Sequence, residues 1–324
     1  MPSDLSSHSP SNSPSNSPSN SPSNSPPAPS ASSPASSSAN APASSSANAP
    51  AHSQWQRLLK NKGTWQGSFT QVSAQGQILA DIPTEVALIP QGDHQSAMRQ
   101  EIRRNPQGSS PQTTVLEYSS LSRATLFFEN GAFSQGSTQW GPFSEFGAEL
   151  GLIAGHRRLR IVQLFDSSGD LDKITLIRER LEGTSAPERN PLTVESLIGT
   201  WQGKATTQYA DLRPEQTQST QLLIEAAGEN QIRQTLSFEH TSPITSVGIL
   251  KDQRILFSQS AQPIQVLLLP DGASSTCPSK ITPRQPIFLE AGWLLDPNTR
   301  QRIIRQYDAA GAWVSLTLVV ETKQ

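Results

Sequence analysis

Gly63-Thr64-Trp65-Gln66-Gly67 returns as Gly199-Thr200-Trp201-Gln202-Gly203, 136 residues further along the chain. Two more matches follow in the same order. Asn130-Gly131-Ala132-Phe133-Ser134 returns as Asp271-Gly272-Ala273-Ser274-Ser275 after 141 residues, and Phe165-Asp166-Ser167-Ser168-Gly169 as Tyr307-Asp308-Ala309-Ala310-Gly311 after 142. Three collinear matches with nearly constant offsets predict one unit used twice, with small loop insertions. That speaks to fold, and much less to chemistry.

Around these anchors the chain reads as strands. Each unit opens on a short apolar-periodic segment that runs into a glycine: Trp55, Leu58 and Leu59 before Gly63, then Val194, Leu197 and Ile198 before Gly199. The spacing suits one or two helical turns closed by the glycine. Short runs rich in β-branched and aromatic residues follow, such as Thr84–Ile89, Thr113–Tyr118 and Ala124–Phe128. Gln91-Gly92-Asp93, Asn105-Pro106 and Asn130-Gly131 punctuate them, and Asn-Gly predicts a type I′ hairpin. The last two strands of the units match as Arg160–Phe165 with Arg302–Tyr307 and Ile174–Glu179 with Leu316–Glu321. Eight to ten such strands in roughly 130 residues predict a closed up-and-down barrel, because closure removes exposed edges. The expected fold is all-β: two tandem calycin/lipocalin-like antiparallel barrels at 53–182 and 192–324. A Pro/Gly-containing linker at 183–191 joins them, and a Ser/Pro/Asn/Ala-rich tail at 1–52 precedes them. The tail repeats Ser-Pro-Ser-Asn and is almost without charge or large apolar groups, the composition of a disordered spacer.

Composition narrows the function. Lys and Arg number 13 against 13 Asp and Glu over 55–185, and 11 against 12 over 190–324, so neither half offers the basic surface nucleic acid requires. No apolar run approaches the roughly 18 residues of a membrane span. A single cysteine, Cys277, rules out an internal disulfide framework and fits a reducing, cytoplasmic compartment. It is read in a Ser-Thr-Cys-Pro loop with no histidine nearby in sequence, which argues against nucleophilic catalysis. The five histidines show no metal-ligand spacing, so no metal is expected; His156 and His240 are the ones to test as a haem ligand.

A Gly-x-Trp where a short helix enters the first strand of a small meander resembles the lipocalin and calycin group. There the Trp plugs the closed end of the barrel, and an Arg from the last strand packs across it. The resemblance gives the plug to Trp65 and Trp201 and sets Arg178 on the last strand of the first unit. The second unit departs from this pattern: Val320 stands at the matching place, so its plug is built differently or Lys323 substitutes. More of the chain, about 53 to 324, resembles a calycin-type family of cyanobacteria and chloroplasts without an established activity. Asn130–Ser134, Phe143–Glu149, Arg158–Phe165, Leu176–Glu179, Leu269–Pro278 and Ala291–Leu295 carry that resemblance. Its nearest understood relatives are S-type phycobiliprotein lyases, which hold an open-chain bilin and deliver it to a cysteine of an apo-phycobiliprotein. The resemblance implies a bilin or other tetrapyrrole as ligand, a photosynthetic partner protein, and a cyanobacterial-cytoplasm or plastid-stroma-like location. If there is an enzymatic role, it is lyase-like chromophore attachment.

A barrel of this size leaves room for side chains or one small ligand. Charged groups that alternate with apolar ones are therefore the candidates. Arg158, Arg160, Val162 and Leu164 share one face of the penultimate strand, while Leu159, Ile161, Gln163 and Phe165 share the other; alternation alone does not say which face is the lumen. Arg160, its counterpart Arg302, and Arg178 could hold ligand carboxylates in their planar forks. The competing reading makes them structural or solvent-facing. Glu149 and Glu290 could hydrogen-bond pyrrole nitrogens or simply pair with an arginine. Phe146, Trp140, Phe143 and Trp293 line a pocket or fill the core. The function expected is non-covalent binding of a small apolar ligand, with chaperoning or lyase-like delivery. Its rivals are a non-catalytic interaction or assembly module whose lumens are packed shut, and a fatty-acid or carotenoid carrier.

Overall fold

The computed structural model describes residues 53–105, 107–239 and 241–324. The tail at 1–52 and His240 lie outside these residues. In the first unit a short helix α1 (Gln54–Leu58) precedes β1 (Gly63–Ser73), β2 (Ile78–Gln91), β3 (Ala97–Arg104), β4 (Gln112–Tyr118), β5 (Thr125–Phe127), β6 (Phe133–Gly136), β7 (Phe146–Ala154), β8 (Arg157–Phe165) and β9 (Leu171–Leu181). In the second, α2 (Val194–Leu197) precedes β10 (Gly199–Tyr209), β11 (Gln216–Gly228), β12 (Gln231–Phe238), β13 (Ile244–Lys251), β14 (Arg254–Phe257), β15 (Ile264–Leu268), β16 (Ala273–Pro278), β17 (Ile287–Asp296), β18 (Thr299–Tyr307) and β19 (Trp313–Lys323).

Ten strands of the second unit pair with their sequence neighbours, and β19 returns to β10, closing the barrel. The first unit is the same meander with one seam left open. Its nine strands run in the order β4-β3-β2-β1-β9-β8-β7-β6-β5, and β4 does not pair with β5. Here the structure departs from the closed barrel the sequence suggests, and side chains supply the reason. The Phe127 backbone on the free edge of β5 donates to Gln54 Oε1 at 2.6 Å. Its carbonyl accepts from Gln54, Arg57 and Gln208 at 3.1–3.2 Å. Side chains occupy hydrogen-bonding groups that a neighbouring strand would otherwise take.

The glycines flanking each tryptophan have distinct jobs. Gly63 and Gly199 take φ of +121° and +132°, which L side chains rarely adopt, as the chain passes from the helical segment into the strand. Gly67 lets β1 approach β9 so closely that a Cβ there would sit 1.8 Å from the Arg178 carbonyl oxygen. The predicted hairpins form, but not always with the expected turn. At Asn130-Gly131 only the glycine has positive φ (+91°), and Gly131 N–H bonds back to Phe128, a type I turn closed by a left-handed glycine. The type I′ geometry appears in the second unit, where both Asp271 (+57°) and Gly272 (+67°) are left-handed.

Strand alternation decides what faces what. Leu159, Ile161 and Phe165 of β8, Leu150 and Leu152 of β7, and Ile174 and Leu176 of β9 point outward from the first sheet, yet are buried. They join Leu289, Ala291 and Trp293 of β17, Ile303 and Tyr307 of β18, and Leu316 of β19 in one apolar core. The outer faces of the two units are thus each other's cover. Buried polar side chains cross this core. Gln163 donates to Ser275 Oγ at 2.7 Å and to the Glu290 carbonyl at 3.2 Å. Arg305, fully enclosed, donates to Ser134 Oγ, to the carbonyls of Ala124 and Ser137, and to the Tyr307 hydroxyl. Arg157 meets the buried Asp271 at 2.5 Å. The 183–191 segment is docked rather than loose: Arg189 stacks over Trp293 at 4.3 Å and its N–H donates to Asp271.

Candidate functional site

Each unit encloses a cavity, of about 470 Å³ in the first and about 630 Å³ in the second. These sizes fall in the range of small-molecule sites, roughly 300–1,000 Å³. The first is walled by Leu58, Val86, Leu88, Ile102, Phe127 and Phe133, the second by Leu197, Leu222, Ile224, Ile255, Phe257 and Val266.

The two tryptophans of the repeated Gly-x-Trp are buried and hydrogen-bonded to the short helical segment before their strand. Trp65 Nε1 donates to the Asn61 carbonyl at 2.9 Å, and Trp201 Nε1 to that of Leu197 at 2.8 Å. The cation across the Trp is not Arg178. Arg158 of β8 lies 4.5 Å over Trp65, and Arg300 of β18 lies 4.6 Å over Trp201. Lys323 adds a second cation to Trp201 at 5.1 Å. Arg178 is ruled out by parity. It pairs with Ser68 of β1 and Leu159 of β8, both facing away from the lumen, and its guanidinium binds Glu188 at 2.6 Å and Asp81 at 3.3 Å.

Beside each tryptophan is a group of four charges, three of them buried and the fourth, Glu149 or Glu290, partly buried. In the first lumen Glu179 of β9, fully enclosed, accepts from Arg158 Nε at 2.7 Å and from Arg160 Nε and Nη2 at 3.0 and 2.8 Å. Arg160 Nη1 also donates to Glu149 of β7 at 2.6 Å. The second lumen repeats the arrangement. Glu321 of β19 accepts from Arg300 Nε at 2.7 Å and from Arg302 Nη2 at 2.8 Å, while Arg302 Nη1 donates to Glu290 at 3.2 Å. Burial alone would raise the Glu179 carboxyl, but the two guanidiniums outweigh it and hold the group down to about 2. Burial likewise opposes charge on Arg160 and Arg302, and the facing carboxylates leave both protonated more firmly than an ordinary arginine. Burial lowers Arg158 and Arg300, each of which has the one close carboxylate.

Of the residues singled out from sequence, Arg160 meets Glu149 on the wall of the first lumen, and Arg302 meets Glu290 on that of the second. Phe146 and Trp140 do not. Phe146 packs on Phe165 and Tyr307 in the core between the units, at 5.9 and 4.8 Å between ring centroids. Trp140 borders the same core and hydrogen-bonds the Gly311 carbonyl. Trp293 is buried there too, and Phe143 is exposed. Cys277 is not in a loop. It lies on β16, enclosed in the inter-unit core, and burial pushes its thiol up to about 12. Sequence reasoning assigned no role to Glu179, Glu321 or Arg300. The constant spacing of 142 residues that relates Arg158 to Arg300 and Arg160 to Arg302 also relates Glu179 to Glu321, and was the signal available.

A closed ten-stranded barrel and a curled nine-stranded sheet, each with a cavity, a buried tryptophan and a four-charge cluster, define an all-β protein of two similar units. The chain belongs to the DUF3598 family. A DUF3598 protein of unknown function from Nostoc punctiforme, known from its crystal structure, is 45% identical, with a TM-score of 0.80 over 85% of this chain and 100% of that one. The family profile for the DUF3598 N-terminal domain matches residues 51–184. Residues 188–324 match the profile described as Biogenesis factor required for ATP synthase 1, C-terminal domain. Fainter likenesses reach an S-type phycobiliprotein lyase from Guillardia theta (15% identity, TM-score 0.32, 40% of this chain and 90% of that one) and a putative outer membrane protein from Bacteroides fragilis (11%, 0.24, 84% and 100%). Among curated proteins none is similar enough to count as a match. No helix among the described residues is long and apolar enough to cross a membrane.

Proposed function

We propose that the two units are copies of one ligand-binding barrel, and that each holds a small, largely apolar molecule with a polar end against the charge cluster. The observation that carries this reading is the space itself. Lumens packed shut would support a purely structural module, whereas these are open, the second mostly apolar and the first lined by apolar and polar side chains alike, with arginines and carboxylates turned inward. A bilin or other tetrapyrrole is the leading ligand, shielded from water and passed to a photosynthetic partner in a cyanobacterial cytoplasm or plastid stroma. The charge geometry revises how it would be held. Arg160 and Arg302 already satisfy two carboxylates each, so they are poorly placed to take a propionate without displacing a glutamate. A lactam, offering both N–H and C=O, fits such a neutral pair of donors and acceptors better.

The test is an absorbance and fluorescence titration of the full chain with phycocyanobilin and biliverdin. Leu116→Trp and Leu236→Trp fill the first and second lumen respectively. A saturable red-shifted band, reduced by one or both variants, supports the reading; no spectral change at micromolar protein removes the bilin.

A second reading rests on the description of the family matched by residues 188–324. In it the second barrel docks on an ATP-synthase assembly intermediate, and its lumen ligand is incidental. Co-purification of ATP-synthase subunits with the full chain, unchanged by Leu236→Trp, would favour it.

A further inference from the structure

The two lumens differ at one charged position, and the difference can be followed through the strand register. In the first unit Gly67 pairs with Thr84 of β2, and Thr84 with Arg104 of β3. In the second, Gly203 pairs with Thr220 of β11, and Thr220 with Phe238 of β12. Arg104 and Phe238 therefore hold the same place on the same wall, and each lines its cavity. Arg104 lies 5.4 Å over the Phe69 ring, whose other cationic neighbour is Arg160 at 5.6 Å. At the matching place to Phe69 the second unit has Ala205.

Counting charge gives the consequence. In the second lumen Arg300 and Arg302 are balanced by Glu290 and Glu321. In the first, Arg158 and Arg160 are balanced by Glu149 and Glu179, which leaves Arg104 over. Among the described residues Arg104 forms no ion pair; the acidic neighbour on β2, Glu85, is taken by Arg103 on the outer face. A half-buried guanidinium that edges a partly apolar cavity and keeps its donors free is suited to a carboxylate. A carboxylate entering the second lumen would instead meet an already neutral cluster and pay desolvation without a partner.

We infer that the lumens divide ligands by charge: the first takes apolar molecules ending in a carboxylate, held by Arg104, and the second takes uncharged ones. This rests on the lumen-binding reading above and narrows it: a bilin, which carries two propionates, would belong to the first lumen, and the second would take a ligand without a carboxylate.

The experiment uses the full chain and two fluorescent probes with the same hydrocarbon, cis-parinaric acid and its methyl ester. The acid should bind one site about tenfold more tightly than the other, as expected for one hydrogen-bonded charged contact, and that preference should fade as salt is added. Arg104→Gln should weaken the tight acid site about tenfold and leave the ester within about twofold; Arg104→Lys should keep most of the preference. Phe238→Arg should raise acid affinity in the second lumen. Equal effects of Arg104→Gln on acid and ester, or none on either, would overturn the charge division while leaving lumen binding intact. Failure of both probes to bind saturably would remove the lumen reading, and this inference with it.

Discussion

Glu179 accepts hydrogen bonds from two guanidiniums while fully enclosed, so its ionisation is tied to the folded state. In the folded chain its carboxyl is held down to about 2, against an ordinary value of 4.5. Between those values the unfolded chain binds the proton more readily than the folded one. The stabilisation from this group is therefore complete above pH 4.5 and is lost as pH falls through the window towards 2. Glu321 is depressed in the same direction by Arg302 and Arg300 against the cost of burial, and adds to the same acid limb. We expect Glu179→Gln to lower stability at pH 7 by about 3–5 kcal/mol, the usual cost of breaking a buried pair. It should also flatten the fall in stability below pH 4.5; urea unfolding at several pH values measures both. Cys277 makes a second prediction at this scale. Enclosed, with its thiol pushed up to about 12, it should resist a thiol reagent at pH 8 in the native protein and react at the rate of global unfolding. Rapid native labelling would show that the core between the units opens locally.

The short strand β5 is where an element depends on groups far from it in sequence. Its free edge is closed by side chains of α1 and by Gln208, and Arg305 of the second unit binds the carbonyls of Ala124 and Ser137 side by side at the open end of the β5–β6 hairpin. Arg305 has no carboxylate among its hydrogen-bond partners and stacks on Trp313 at 3.7 Å, so its geometry rather than its charge alone holds the hairpin. Arg305→Lys keeps the charge but cannot reproduce the fork. It should cost about 2 kcal/mol, and amide exchange should accelerate at Thr125–Phe127 before it does in β8. Uniform exchange across both elements would assign Arg305 to general packing. The strands, their antiparallel order and the helix-to-Trp junction were all legible in the residues, because period-two alternation and turn chemistry are local. The open seam was not, since it depends on Gln54 reaching Phe127, 73 positions away. The site was half legible for the same reason. Alternation put Arg158 and Arg160 on one face, but not which face was the lumen. Phe146 looked like pocket lining until the second unit supplied a wall of its own for it to pack against.

At the scale of the whole molecule, the outer faces of β7, β8 and β9 and of β17, β18 and β19 form one core. A duplicated sequence would lead one to expect two independent domains. The packing predicts instead that the units unfold together, because separating them would expose Leu150, Leu159, Leu289 and Trp293 and strand Arg305 and Asp271 without their partners. Leu150→Ala and Leu289→Ala remove side chains from the two contributions to that core. Each should cost about 2–5 kcal/mol, and each should shift the same single calorimetric transition, with calorimetric and van't Hoff enthalpies in agreement. Two resolved transitions, each moved by only one variant, would show that the wall is contact without cooperativity. The outcome bears on binding as well. If one transition governs both units, a ligand bound in either lumen stabilises the whole chain by mass action. Saturating the first lumen with a carboxylate probe would then protect the amides of β18 as well as those of β8 from exchange.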